Sequence, residues 1–259
     1  MGNLHAGHIA LVQNARARSQ CVVASIFVNR LQFEPGGDFD RYPRTLEADR
    51  AVLERAGCDV VFAPEEREMY PAPQEIVVTP PKSAAQLCGD FRPGHFEGVV
   101  TVVTKLLHIV RPAVAVFGKK DYQQLFVVRE LVKQLNFGVE IVGVSTVREA
   151  DGLALSSRNG YLSAAERAKA VRLSQALKAI KESVEAGRRD FDTLTKAAMQ
   201  ELRDAGWKVD YIAVRNRSAL AVPGDGDRDL VVLGAAWLGN TRLIDNFEIA
   251  GPARTAKGV

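Results

Sequence analysis

Cysteine is scarce in this 259-residue chain, and its three cysteines, Cys21, Cys58 and Cys88, lie far apart with no CxxC pair among them. An odd number of isolated thiols argues against a disulfide framework and against a structural zinc site, and it favours a reducing compartment such as the cytoplasm. Cys21 and Cys58 each begin an apolar run, so we expect both side chains to pack in the core.

A large excess of charge of one sign is also lacking. The 34 basic and 31 acidic residues leave a formal charge of +3, which predicts neither a nucleic-acid partner nor a membrane surface. No apolar run approaches the roughly 18 residues of a membrane span, and the chain does not open with the basic and apolar segments of a signal peptide. We therefore expect a cytoplasmic protein that binds a small molecule.

What the first part of the chain does contain is an alternation of short β-rich runs with helical patterns. This alternation predicts an α/β fold with a Rossmann-like parallel sheet, whose ligands bind beyond the carboxyl ends of the strands. In the predicted helix 45–57, Thr45 is the expected N-cap and Gly57 the C-terminal stop. The predicted strands are 21–28, which we expect to be buried, 58–64, 113–118 and 139–144, and the other predicted helices are 96–110 and 121–135.

A leading strand is missing from this pattern. A strand normally delivers the chain to the first helix of such a domain, but only Met1 to Leu4 precede the first helical pattern here. We therefore expect the first strand of the sheet to be absent from the sequence as written. Its absence is expected to expose sheet edges and core and to lower the stability of the domain.

The pattern changes near residue 150, where helices are followed by consecutive strands, as in a smaller α+β domain. Ser163 and Glu166 have the spacing of a capping box at the start of a helix over 163–187, and a second helix is predicted over 192–205. We assign a first domain to residues 1–148 and a smaller lid domain to residues 149–259. The three predicted strands are "VDYIAVRN", "DLVVLGAAWLG" and "TRLIDNFEI", and the tail "GPARTAKGV" is expected to be frayed.

Two short motifs contain residues suited to phosphate chemistry. "HAGH" places His5 and His8 at a helix start, where backbone N–H groups and the helix dipole favour anions, and Gly7 allows a ligand to approach the backbone. Alone, the motif is equally typical of two surface histidines, and no third metal ligand accompanies it. "ALSSRNGYL" (154–162) adds two hydroxyls and an arginine between the two domains.

Together these two motifs resemble the HIGH and KMSKS signatures of the nucleotidylyltransferase superfamily, which includes class I aminoacyl-tRNA synthetases. Three further stretches, "VNRLQF" (28–33), "RPGHFEGV" (92–99) and "FGKKDYQQL" (117–125), appear in an order that resembles the pantoate–β-alanine ligase family. The resemblance extends from Met1 to about Glu248. It implies a Rossmann-like domain, a smaller C-terminal domain, a homodimer, and ATP as a substrate with Mg²⁺.

The resemblance also implies a reaction and a set of residues. The family joins pantoate to β-alanine through pantoyl adenylate, releasing pyrophosphate and AMP, on the route to coenzyme A. His8, His5, Lys120 and Arg158 match catalytic positions, with His8 matching a proton donor, and Gln32 and Gln124 match the glutamines that hold pantoate. We assign no residue to a metal. The positions matched to ATP are Met1, Gly2, Asn3, Leu4, His5, Ala6, Gly7, His8, Gly118, Lys119, Lys120, Asp121, Val147, Leu155, Ser156, Ser157 and Arg158.

Several points stay open at the level of sequence. Asp121 is suited either to contacting the nucleotide or to capping the helix after it, and Arg92 and His95 are suited either to binding ligand or to shaping their loop. Arg30 stands where the family usually has proline, which adds a charge near a site for an anionic substrate. Two alternative functions are a nucleotidylyltransferase acting on a phosphorylated alcohol and an inactive nucleotide-binding module.

Overall fold

The computed structural model describes residues 1–34 and 36–250, which form two compact units. The first unit contains Met1–Val147 together with Leu155–Ser157, and the second contains Arg148–Ala154 together with the chain from Arg158 onward. Ser156 and Ser157 therefore group with the first unit, whereas we expected the whole SSRN segment in the second. The tail that we expected to be frayed lies outside the described residues.

The first unit is an α/β assembly of parallel strands and helices. β1 pairs in parallel with β2, with Val23 opposite Val60, and β3 pairs in parallel with β4, with Val114 opposite Glu140. The elements are α1 (Ala6–Arg16), β1 (Val23–Ser25), α2 (Leu46–Arg55), β2 (Val60–Phe62), α3 (Glu66–Met69), α4 (Cys88–Phe91), α5 (His95–Val110), β3 (Val114–Gly118), α6 (Tyr122–Gln134) and β4 (Glu140–Val144), with 3₁₀ helices at Arg30–Gln32, Lys82–Ala85 and Lys119–Asp121.

The strands β3 and β4 match their predicted ranges to within one residue, whereas β1 and β2 are shorter than predicted and β1 is more exposed. The apolar run 21–28 contributes only Val23–Ser25 to a strand, and Val23 is 37% exposed. Among the described residues, each of these four parallel strands pairs along one edge only. A strand with a free edge and a thinly covered face keeps part of its apolar surface in contact with solvent, so the expectation of a buried strand was wrong.

Two of the cysteines also differ from expectation. Cys21 is exposed, because it lies before β1 begins, so its predicted core position was wrong. Cys58 is half-buried against a small cluster formed by Val12, Val22 and Leu53. This cluster packs α1 and α2 around the start of β1.

The second unit is an antiparallel three-stranded sheet covered by two long helices. The expected capping box is confirmed at the first helix, where Ser163 accepts a hydrogen bond from the Glu166 backbone and the Glu166 carboxylate accepts one in return. Gly234 lets this helix approach the central strand, because a Cβ there would lie 3.1 Å from Leu173 and from Leu177. The elements are α7 (Ala164–Glu185), α8 (Phe191–Asp204), β5 (Lys208–Asn216), β6 (Leu230–Leu238) and β7 (Thr241–Ile249).

The polypeptide is thus a mixed α/β protein with parallel strands in one unit and a smaller antiparallel sheet in the other. Over the two described stretches, none of the helices has the length and apolar character that crossing a membrane demands.

Candidate active site

The turn before α1 is held by a buried carboxylate. Asp49 of α2 is 3% exposed; its Oδ1 accepts a hydrogen bond from the Leu4 backbone N–H at 2.8 Å, and its Oδ2 accepts one from the Asn3 N–H at 2.9 Å. Thr45 is the N-cap residue of α2, as expected, but its hydroxyl donates to the same carboxylate and makes no capping hydrogen bond. Asn3 adopts a left-handed conformation (φ 53°), which aims these two N–H groups at Asp49.

His5 and His8 form an unusual capping box at the start of α1. The Nδ1 atom of His5 accepts a hydrogen bond from the Gly7 backbone N–H at 3.2 Å, and Nδ1 of His8 accepts one from the His5 backbone N–H at 3.2 Å. Because a backbone N–H can only donate, neither Nδ1 carries a proton, and in each neutral ring the proton lies on Nε2. With ring centroids 4.1 Å apart, the pair offers two neighbouring Nε2–H donors.

Both imidazoles are held in their neutral form. Burial, followed by the proximity of His5, lowers the pKa of His8 to about 3. Burial also lowers the pKa of His5, helped by the positive charge of Lys120 and opposed by Asp121. The two rings therefore act near pH 7 as uncharged hydrogen-bond donors, and Lys120 places a positive charge close enough to lower the pKa of both.

The GKKD stretch follows β3 and brings Lys120 and Asp121 close enough to affect the titration of the histidines. The Lys120 side chain is mostly buried (19% exposed), and its Nζ lies 4.0 Å from the Asp121 carboxylate. Asp121 occupies the N-cap position of α6 without a side-chain capping bond. Asp121 thus takes the capping position without using its carboxylate as a cap, and its contact with the nucleotide stays a prediction.

The SSRN segment reaches the first turn through Ser157. The Ser157 hydroxyl donates to the Asn3 carbonyl at 3.0 Å, and a Cβ placed on Gly7 would lie 3.8 Å from the Leu155 Cβ. Leu155 donates its backbone N–H to the Val147 carbonyl at 3.0 Å. Five predicted nucleotide positions thus lie together in the first unit, namely Asn3, Gly7, Val147, Leu155 and Ser157. Arg158 belongs to the second unit, and its place in the site stays a prediction.

Gln32 has its side chain fixed by a buried asparagine. Asn29, which is 1% exposed, donates from Nδ2 to Oε1 of Gln32 at 3.2 Å and to the Gly98 carbonyl at 3.0 Å. Tyr70 donates its hydroxyl proton to Oδ1 of Asn29 at 2.7 Å, and burial raises the pKa of Tyr70 to about 12, so this donor keeps its proton. The amide orientation of Gln32 is thereby set: its Nε2 faces the Met1 sulfur at 3.1 Å.

Gln124 lies on the first turn of α6 and is half-buried. Within the described part of the chain no hydrogen bond joins it to Gln32, so the structure does not itself pair the two glutamines. Arg30 directs its charge to the surface, where Nε lies 2.9 Å from Glu66 and the guanidinium stacks on Phe39 with 3.9 Å to the ring centroid.

Sequence reasoning missed the residues that hold the predicted ones in place. The sequence does contain a feature that indicates a role for Asp49. It lies four residues before Leu53 on the inner, buried face of α2, where an unpaired carboxylate is not expected. Asn29 lies inside the quoted VNRLQF motif, but nothing in its type or spacing indicated that it would be buried beside Gln32.

A helix start that presents paired histidine donors, with a lysine from a neighbouring strand end and a serine from a distant segment, defines an α/β enzyme that handles phosphate groups. The family model described as pantoate-beta-alanine ligase matches residues 1–248. The chain belongs to the pantoate–β-alanine ligase family.

Individual relatives agree with this membership. The chain is 56% identical over 257 residues to the pantothenate synthetase of Thiobacillus denitrificans, covering 99% of this chain and 91% of the relative. It is 59% identical over 253 residues to that of Neisseria meningitidis serogroup C, covering 97% and 91%.

Solved structures of the same family are also similar. The pantothenate synthetase of Thermus thermophilus superposes with a TM-score of 0.92 at 48% identity, covering 96% of this chain and 91% of that one. The pantoate-beta-alanine ligase of Francisella tularensis, solved as a complex with "Beta-gamma ATP" and β-alanine, gives a TM-score of 0.77 at 34% identity, with 96% and 87% covered.

Proposed function

We propose that this protein is an ATP-dependent ligase that condenses (R)-pantoate with β-alanine to form pantothenate, through a pantoyl-adenylate intermediate. The observation that carries the proposal is that one unit brings together the HxGH turn with its two neutral histidines, Lys120 and Asp121 of the GKKD stretch, and Ser157 of SSRN. Family membership supplies the substrates, and it does not favour a phosphorylated alcohol as acceptor or an inactive module.

In the first step, a carboxylate oxygen of pantoate attacks the α-phosphorus of ATP. The bond from that phosphorus to the bridging oxygen breaks, and pyrophosphate leaves with the electron pair. Because two anions must meet, charge neutralisation and in-line positioning dominate the catalysis. His5 and His8 donate Nε2–H bonds to phosphate oxygens, while Lys120 and Arg158 supply positive charge. Ser156 and Ser157 complete the phosphate contacts from the SSRN segment.

Gln32 and Gln124 bind pantoate in this proposal. Amides suit the task, because they bind hydroxyls and a carboxylate through neutral groups and offer no nucleophile to compete with the substrate. In the second step, the β-alanine amine attacks the activated carbonyl carbon. The bond from that carbon to the AMP oxygen then breaks, AMP leaves, and the ammonium formed on nitrogen gives its proton to solvent.

Mg²⁺, the homodimer and the cytoplasmic location belong to the proposal as well. No group of three or more histidine, cysteine or acidic side chains within 1–34 and 36–250 is placed to hold a metal. In this proposal Mg²⁺ would enter bound to the triphosphate and would neutralise part of its charge, as is usual for this ion at phosphate sites. The second unit would act as the lid domain that carries Arg158.

The proposal is tested by measuring AMP and pyrophosphate with each substrate omitted in turn. Pyrophosphate is expected to require ATP and pantoate, and continued AMP release is expected to require β-alanine as well. AMP formation that is independent of pantoate, or no AMP with all three present, contradicts the proposal. His8→Asn keeps an acceptor near the Nδ1 position for the His5 N–H and removes the donor at the Nε2 position, so pyrophosphate release should fall about 100-fold or more.

A further inference from the structure

The RPGHFEGV stretch contains an arginine, a histidine and a glycine whose role the reaction does not assign. We propose that Arg92, His95 and Gly98 are positioning residues that set the backbone of Gln32 and thereby tune the affinity for pantoate, without contacting any substrate. This inference rests on the proposed function of Gln32. It resolves the question left open by the sequence, whether Arg92 and His95 bind ligand.

Both ring nitrogens of His95 are already used. The side chain is buried (7% exposed), and Nδ1 lies 2.8 Å from the backbone carbonyl oxygen of Gln32. A carbonyl oxygen only accepts, so Nδ1 must carry the proton. Nε2 is then the acceptor for Nη1 of Arg92 at 3.1 Å. The ring therefore keeps no polar atom for a phosphate or a carboxylate.

Arg92 engages the chain at Gln32 and again two residues later. Its Nη2 donates to the same Gln32 carbonyl at 3.3 Å, and its Nε lies 3.4 Å from the Glu34 carboxylate. The guanidinium side chain is only 18% exposed. Its charge is thus paired with Glu34, which leaves it poorly suited to attracting an anionic substrate.

Gly98 brings α5 into backbone contact with the 3₁₀ helix Arg30–Gln32. A Cβ at position 98 would lie 2.2 Å from the Leu31 carbonyl oxygen and 2.6 Å from the Gln32 nitrogen, closer than any real Cβ contact. The Gly98 carbonyl also accepts the Asn29 side chain at 3.0 Å. Arg92 and His95 thus hold the Gln32 carbonyl by hydrogen bonds, and Gly98 lets α5 pack directly against the backbone before it.

The support of the Gln32 backbone should affect the binding of pantoate and leave the binding of ATP unchanged. The Gln32 side chain is fixed at one end by Asn29 and at the other by a backbone that His95 and Arg92 hold. Loss of the hydrogen bonds to the Gln32 carbonyl frees the Gln32 side-chain amide to move away from pantoate. The turn before α1 that carries His5 and His8 stays in place, because Asp49 holds it. Loss of this support should therefore raise the KM for pantoate and spare the KM for ATP.

His95→Leu tests the inference, with His108→Leu as the matched control. His108 is an exposed residue of the same helix, thirteen positions further along, about 20 Å away at the rise of an α-helix. We expect His95→Leu to raise the KM for pantoate about tenfold, the size of one lost buried hydrogen bond, with the KM for ATP within about twofold of wild type. His108→Leu should change neither constant. A larger rise in the KM for ATP, or no change in either constant, overturns the inference.

Conservative variants keep the test valid if His95→Leu folds poorly. His95→Asn retains a donor near the Nδ1 position and should restore most of the pantoate affinity, whereas His95→Gln shifts the donor outward and should not. In a Gln32→Ala background, His95→Leu should have no further effect on the KM for pantoate, because the residue acts through Gln32. A full additional loss in that background means that His95 touches substrate itself and contradicts positioning.

A readout without substrate separates this inference from the proposed ligase activity. The side-chain amide resonance of Gln32, assigned by its loss in Gln32→Ala, should shift in His95→Leu and stay unchanged in His108→Leu. If the wild type does not ligate pantoate, the proposed function fails while the amide shift still decides whether His95 positions Gln32. An unchanged amide resonance in His95→Leu refutes the positioning role.

Discussion

At the scale of single residues, Arg30 shows how a departure from the family pattern is accommodated. Its backbone begins the 3₁₀ helix that carries Gln32, after an Asn29 with the extended ψ of 107° that also suits a following proline. Its charge pairs with Glu66 and stacks on Phe39 at the surface. An exposed pair of this kind contributes about 0–1 kcal/mol, so the added charge is compensated locally and is not left facing an anionic substrate.

His8 gives the prediction that belongs to this scale. Unfolding returns its pKa from about 3 to its ordinary value near 6.5, so below pH 6.5 the unfolded chain binds a proton that the folded chain does not. Stability contributed by the neutral ring is complete above pH 6.5 and decreases as the pH falls towards 3. Urea denaturation followed by far-UV circular dichroism should therefore show a shallower loss of stability in this acid range for His8→Gln than for wild type. Parallel pH profiles for the two proteins would contradict the buried, neutral assignment.

At the scale of elements, helices were predictable where local chemistry marks their ends. The predicted helix 96–110 is observed as His95–Val110, and the helix 163–187 as Ala164–Glu185 with its Ser163 capping box. Both signals are local: apolar residues on one helical face, and a cap within one turn. The contacts around Gln32 and the first turn were not predictable, because Asp49 and Asn3 are 46 residues apart in sequence and no periodicity reports such a pair.

The carboxylate that joins α2 to the first turn yields the prediction at this scale. Asp49→Asn removes the negative charge and replaces one of the two acceptor oxygens by an NH₂ group. The Leu4 N–H can keep the remaining oxygen, and the Asn3 N–H is then left with the Thr45 hydroxyl at 3.1 Å as its acceptor. We expect a loss of about 1–3 kcal/mol in the free energy of unfolding and a raised KM for ATP, because the histidine turn loses its support. Denaturant titration and steady-state kinetics measure the two effects, and Glu47→Gln on the exposed face of α2 is the control. An unchanged KM for ATP in Asp49→Asn would show that the turn is held by other contacts.

At the scale of the whole molecule, the order of the main strands and helices was readable from the sequence, and so was the extent of every predicted strand except β1 and β2. The apolar run 21–28 predicts a buried strand, and only three of its residues pair, because the length of a strand depends on the partner that lies beside it. The assignment of Leu155–Ser157 to the first unit is equally non-local, since it depends on contacts such as Ser157 with Asn3. Hydrophobic periodicity describes one element at a time. It therefore predicts neither how many residues of the run 21–28 pair with a neighbouring strand nor which unit Leu155–Ser157 joins.

The second unit can be tested separately, because both tryptophans of the chain, Trp207 and Trp237, belong to it. In this unit Arg148 begins the segment 148–154. Its guanidinium makes two hydrogen bonds to the carboxylate of the buried Asp245, at 2.7 and 2.8 Å, and donates to the Gly152 carbonyl at 3.0 Å. The pair ties the start of the segment 148–154 to β7.

Asp245→Asn leaves the Arg148 guanidinium without its counter-charge. Because that side chain is only 20% exposed, removal of the partner should cost about 3 kcal/mol and move the denaturation midpoint seen by tryptophan fluorescence to lower denaturant. Glu182→Gln is the matched control, since it breaks an exposed i,i+4 pair with Lys178 in the same unit and should change stability by less than about 0.5 kcal/mol. Equal midpoints for Asp245→Asn and Glu182→Gln would mean that Arg148 finds water or another acceptor once Asp245 is neutralised, and that the pair does not anchor the segment leading to the SSRN serines.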